Sequence, residues 1–219
     1  MPAPRRHRLP GIKAPLAGTT ALAVLLGAWF AAEGVRNADA VEAPPKLSVP
    51  APQQTTADGI PALPPSRPLG LRIPAIGVQT SLVGLGVRPD GSLDVPSPLT
   101  PELAGWYEQG TMPGAAGTAL AVGHYDSSNG PAVFYQLTQL GPGHTIEVDR
   151  ADGRVAVFTV DSVELHDGNA FPDSKVYGTT GRPELRLLTC GGAYQPAAPG
   201  ITGGYQANTV VYAHLTGVR

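Results

Sequence analysis

The 219-residue chain contains a single cysteine, Cys190, and the residues around it suit a reactive thiol mounted on a scaffold. The run Leu185-Arg186-Leu187-Leu188-Thr189 leads into it and Gly191-Gly192 follows. That pattern predicts a strand end with glycines that let a ligand or another backbone approach closely. His124 has a similar setting, with Ala119-Leu120-Ala121-Val122-Gly123 before it and Tyr125-Asp126-Ser127-Ser128-Asn129-Gly130 after it. Strand ends that open into loops commonly carry catalytic groups on a rigid support. A Cys–His pair suits acyl transfer, because the thiolate attacks a carbonyl and the imidazolium protonates the leaving amine. The other reading of Cys190 is a small buried hydrophobe, a common fate of free cysteine. On these residues alone both readings stand.

The remaining histidines have weaker surroundings. His7 lies in a basic N-terminus, His144 follows a Pro-Gly turn, His166 opens a turn and His214 ends an apolar run. No metal is expected, since the chain offers no cluster of three or four ligands. One cysteine also excludes an intrachain disulfide, CxxC zinc sites and iron–sulfur frameworks. No cofactor is expected.

The elements that must position Cys190 and His124 lie in the last two-thirds of the chain. Strands are predicted over 70–73, 78–85, 92–95, 119–123, 145–149, 155–163, 185–189 and 209–214. Asp90-Gly91 and Asp152-Gly153 each fall between two such runs, a strong hairpin signal. Short helical turns are expected over 101–103 and 132–139. Gly (28) and Pro (24) make nearly a quarter of the chain, which argues against a helical bundle or coiled coil. Regular short strands without long helices predict an all-β sandwich or barrel.

Two segments precede that domain. Arg5, Arg6, Arg8 and Lys13 come before a run of 19 uncharged residues, 14–32. In a helix such a run reaches about 28 Å, close to the hydrocarbon thickness of a bilayer. The basic flank holds the N-terminus in the cytoplasm and sends the rest outward. The reading is a cytoplasmic stretch over 1–13 and a transmembrane signal anchor over 14–36. Ala38-Asp39-Ala40 keeps a cleaved signal peptide open as the alternative. Residues 37–68 contain eight prolines and predict a semi-rigid linker. The domain is then 69–219. A net charge of −2 argues against nucleic-acid binding.

Several stretches together resemble a known family. Ala121-Val122-Gly123-His124, Leu187-Leu188-Thr189-Cys190-Gly191-Gly192 and the closing Val210-Val211-Tyr212-Ala213 resemble a sortase. His124-Tyr125-Asp126-Ser127, Gly130-Pro131-Ala132-Val133-Phe134, Phe171-Pro172 and Val176-Tyr177-Gly178 are similar to class F sortases of high-GC Gram-positive bacteria. The resemblance implies a closed β-barrel of about eight strands and an extracytoplasmic cysteine transpeptidase at the plasma membrane. It implies cleavage of Leu-Pro-x-Thr-Gly type sorting signals on exported proteins and transfer of the acyl fragment to an amine of a cell-wall precursor. Cys190 matches the nucleophile and His124 the acid/base. A monomer is expected.

One position departs from the family pattern. Sortases place an arginine on the strand after the cysteine, where its guanidinium can stabilise an oxyanion. The corresponding stretch here is Tyr205-Gln206-Ala207-Asn208. Gln206 stands where the arginine is expected, and Asn208 is the second donor to consider. Arg186 shares the strand face of Cys190, but four strand residues span roughly 13 Å. Three readings follow: an active sortase using Gln206 or another donor, a degraded one that binds sorting signals with little turnover, or another exported Cys-dependent acyl transferase.

Overall fold

The computed structural model describes residues 60–199 and 203–219, so the predicted anchor at 14–36 and most of the linker lie outside the described residues. No helix among the described residues is long and apolar enough to cross a membrane. Ten strands form: β1 (Pro68–Ile73), β2 (Val78–Leu85), β3 (Ala104–Tyr107), β4 (Gly117–Gly123), β5 (Asp126–Ser127), β6 (Gly130–Pro131), β7 (Thr145–Arg150), β8 (Val155–Asp167), β9 (Pro183–Gln195) and β10 (Gly204–Val218). Eight of them close a barrel in the order β1-β2-β3-β4-β9-β10-β8-β7, while β5 and β6 make a small separate ribbon. The pairs β2–β3 and β4–β9 are parallel and the other barrel pairs antiparallel. The predicted all-β barrel is therefore present.

Period-2 alternation sorts the side chains into two cores. Leu71, Ile73, Ala119, Ala121, Ile146, Val148, Phe158, Leu185, Leu187, Val211, Ala213 and Leu215 fill the barrel interior. Their outward neighbours Leu188, Val210 and Tyr212 form a second cluster with Val176, against which Leu120, Val122 and Phe171 pack. Val176 belongs to the one-turn helix α1 (Asp173–Val176), which covers this outer face. Strands β4, β9 and β10 are thus apolar on both sides over part of their length. That explains the near-continuous apolar run before Cys190.

Asp152-Gly153 makes the predicted hairpin between β7 and β8. Asp90-Gly91 makes a tight turn as well, yet only one bridge, Val87 to Leu93, forms beside it. The predicted strand at 92–95 is therefore absent. Asp90 takes up the Ser92 backbone N–H and hydroxyl with its carboxylate, and across the turn Arg88 N–H donates to Ser92 O and Asp94 N–H to Gly86 O, so the segment pairs too briefly to make a strand. Strand β3 goes unpredicted because Ala104-Gly105-Trp106-Tyr107 has no alternation to read. Residues 60–67 lie against the barrel, although the linker was predicted to run to 68. The Leu63 N–H donates to Gly114 O at 2.8 Å and Arg150 Nη2 donates to Pro64 O at 2.6 Å. The packed body therefore begins before Leu69.

Candidate active site

Strands β4 and β9 run parallel with Val122 opposite Leu188, both on the outer face. His124 and Cys190 each follow two residues later, His124 just past the end of β4 and Cys190 within β9, so both lie beyond the last β4–β9 pair and on the same face. Neighbouring strands lie about 4.8 Å apart, which brings an imidazole within reach of a thiol. Cys190 is exposed, and the small buried hydrophobe does not describe it.

His124 is fixed from two sides. Its backbone carbonyl accepts from the N–H of Phe134, whose ring is fully buried. Gly123 before it has no room for a side chain: an added Cβ would lie 2.6 Å from Phe134 Cδ2 and 2.7 Å from Val133 Cγ1. On the ring, Nε2 lies 2.7 Å from the Pro96 carbonyl oxygen. A carbonyl only accepts, so Nε2 carries the proton in this contact and the neutral ring keeps Nδ1 as its base. Pro96 belongs to the connection between β2 and β3, which sequence reasoning had not linked to the site.

On the other side of Cys190, β10 presents Asn208 as its direct cross-strand partner. Directly opposite residues have Cα atoms about 4.5–5.5 Å apart. Asn208 in turn pairs with His166 on β8. Gln206 sits where the register shifts between Tyr205 and Ala207, and its side-chain amide donates to Gln195 Oε1 at 3.0 Å. Of the two donors considered from sequence, Asn208 is the one beside the thiol. Arg186 is engaged elsewhere: Nη2 meets Glu184 Oε2 at 2.7 Å and the guanidinium stacks 4.7 Å from the Tyr212 ring centroid.

A third group near the thiol is Asp126, two residues after His124. The Tyr205 hydroxyl donates to Asp126 Oδ2, tying β10 to the loop after His124. This carboxylate pushes the Tyr205 hydroxyl up to about 12, so Tyr205 stays a protonated donor at any ordinary pH. Desolvation by the surrounding protein raises the Cys190 thiol above its ordinary value, and the Asp126 charge adds to the rise. The nucleophilic thiolate is then a minority species at neutral pH. Two consequences are expected in alkylation by iodoacetamide. The pH midpoint of the rate lies above the ordinary thiol range, and Asp126→Asn moves it down. A wild-type midpoint below that range contradicts this electrostatic picture. Among the described residues no group of His, Cys, Asp or Glu side chains could hold a metal ion.

The comparisons with known proteins agree with this architecture. The family model for the sortase domain matches residues 71–216. None of the curated proteins matches the chain. Among solved structures, sortase A of Listeria monocytogenes aligns with a TM-score of 0.50 at 13% identity, covering 70% of this chain and 89% of that one. A lid mutant of sortase A from Corynebacterium diphtheriae gives 0.49 at 16%, covering 68% and 69%. A Clostridium perfringens sortase D5 transpeptidase gives 0.49 at 19%, covering 69% and 79%. With its family match over two-thirds of its length and a closed eight-stranded barrel, the chain belongs to the sortase family.

Proposed function

We propose that this protein is a class F sortase, an extracytoplasmic cysteine transpeptidase that cuts Leu-Pro-x-Thr-Gly type signals. The observation that carries the reading is the exposed Cys190 on β9, just past its last pairing with β4, the strand that delivers His124. In the proposed reaction His124 Nδ1 takes the Cys190 thiol proton as Sγ attacks the Thr carbonyl, and then gives that proton to the departing glycine nitrogen. The C–N bond breaks and a thioester forms. An amine then attacks the thioester, its nitrogen loses a proton to the imidazole, and the C–S bond's electrons return to sulfur. Asn208 is the side-chain donor placed to meet the oxyanion.

The substrates proposed are exported proteins with C-terminal sorting signals, and the acceptor is an amine of a cell-wall precursor. Residues 1–13 would be cytoplasmic, 14–36 would anchor the chain in the plasma membrane, and the proline-rich stretch would hold the domain outside. The motif His124-Tyr125-Asp126-Ser127 supports the class, and the basic flank of the apolar run supports the orientation.

Incubating the full-length protein with a Leu-Pro-x-Thr-Gly peptide tests this. The expected result is a mass increase on Cys190 equal to the acyl fragment, together with release of a glycine-initiated peptide. Peptide binding without any adduct would instead support a degraded sortase, a reading favoured by the lack of any arginine beside Cys190 among the described residues.

A further inference from the structure

The structure leaves one anionic group at the reaction centre without a cationic partner. Asp126 is exposed, and among the described residues no Lys, Arg or His pairs with it. Its Oδ2 is held by the Tyr205 hydroxyl, and among the described residues no hydrogen bond is made to Oδ1. Oriented this way, the carboxylate is a fixed charge rather than a freely rotating one.

The tyrosine that holds it belongs to a continuous row of aromatic rings. Tyr135 and Tyr125 have ring centroids 4.8 Å apart, Tyr125 and Tyr205 5.3 Å, and Tyr205 and Tyr194 5.3 Å. Tyr135 and Tyr194 remain open to solvent. Tyr205 and Tyr194 are cross-strand partners on β10 and β9, just beyond the Asn208–Cys190 pair. Four tyrosines on this arm are not a core, since none fills the barrel interior or the α1-covered cluster.

A carboxylate held by the first hydroxyl of a partly exposed tyrosine row is complementary to an organic cation: the charge meets the carboxylate and the N–CH2 group meets the neighbouring aromatic surface. The geometry points to Asp126 and the tyrosine row as the binding site for the primary ammonium group of the acyl acceptor. This rests on the acyl-transfer reading above. The ammonium docks on Asp126 Oδ1 and passes one proton to the His124 imidazole. Its free lone pair then forms the C–N bond as the C–S bond breaks, His124 returns that proton to the Cys190 sulfur, and the nitrogen sheds its second proton through the freed imidazole to solvent, leaving the neutral amide. Water carries no such charge, so the site biases the thioester toward the amine.

The test is a partition experiment with the full-length protein, a Leu-Pro-x-Thr-Gly peptide and one of two nucleophiles. Glycinamide is largely cationic near pH 7, whereas hydroxylamine is largely neutral. The readout is the ratio of amide or hydroxamate to hydrolysed acid, measured by mass. That ratio does not depend on how fast the thioester forms. In Asp126→Asn the amide-to-acid ratio is expected to fall about tenfold, the scale of one charge-assisted hydrogen bond, with the hydroxamate-to-acid ratio unchanged. Tyr205→Phe, which frees the carboxylate, shifts the glycinamide ratio in the same direction by less. If Asp126→Asn does not fold, Tyr205→Phe decides. A glycinamide ratio unchanged in a folded variant overturns the proposal, as does an equal fall for both nucleophiles. A wild type that forms no adduct on Cys190 overturns the acyl-transfer reading and this site with it. An adduct with unmoved ratios overturns the site alone.

Discussion

Replacing Cys190 by alanine is expected to abolish both the acyl adduct and release of the glycine-initiated peptide, a loss of about four orders of magnitude or more in kcat. His124→Ala is expected to cost about 100- to 10,000-fold, the usual range for a positioned acid/base group. The double variant should be little worse than Cys190→Ala, because in the proposed reaction the two act on the same proton and the same bond, and such losses do not add. Stability discriminates chemistry from packing. Cys190 is exposed on the outer face of β9, so Cys190→Ala should leave the melting temperature nearly unchanged, within about 0.5 kcal/mol of the wild type. A cysteine that merely fills space would behave in the opposite way, with activity retained and stability lost. Single-turnover mass measurements alongside thermal melts of the three variants settle the matter. An adduct that persists in Cys190→Ala would place the nucleophile elsewhere.

Much of the fold was legible from the sequence, because most of it depends on local pattern. The runs at 70–73, 78–85, 119–123, 145–149, 155–163, 185–189 and 209–214 all lie within observed strands. The Asp152-Gly153 hairpin follows from two residues whose backbone suits a tight turn. His124 and Cys190 each follow an apolar run, and the structure puts His124 just past β4 as that pattern predicts, whereas Cys190, predicted at a strand end, lies inside β9. What escaped was set by pairing between distant segments. β9 runs on past Cys190 to Gln195 only because 204–208 pairs with it, and nothing in Gly191-Gly192-Ala193-Tyr194-Gln195 favours a strand locally. The tie from Tyr205 to Asp126 joins positions 79 residues apart. Pro96 reaches His124 from a connection in which the sequence predicted a strand over 92–95 but nothing that would carry it to the site. The site's outer tier is therefore a product of the barrel's closure, and its residues carried no local signature.

Pairing also decides which side chain replaces the family's arginine, with a large expected consequence. Counting along the sequence put Gln206 in that place, but the register shift between Tyr205 and Ala207 changes what faces Cys190. Asn208 is the direct partner of Cys190, while Gln206 is exposed and bonded to Gln195. A carboxamide offers two neutral donors where a guanidinium offers five charged ones, and charge-assisted hydrogen bonds are roughly twice as strong. Asn208→Ala should therefore lower kcat by about 100-fold, the scale of losing one oxyanion donor, with a smaller change in KM. Asn208→Arg should raise kcat by about tenfold, since the new charge meets the oxyanion across one strand spacing. His166, the other cross-strand neighbour of Asn208, does not block this: its Nε2 lies 2.9 Å from the Tyr212 hydroxyl and 3.5 Å from Glu164 Oε2, so a carboxylate already stands near the added cation. Gln206→Arg should change kcat little, because its side chain leaves the strand at the bulge and points to Gln195. Measuring kcat for the three variants on one peptide separates the two positions. A rise in Gln206→Arg with none in Asn208→Arg would mean that the bulge relaxes when substrate binds, returning position 206 to the oxyanion.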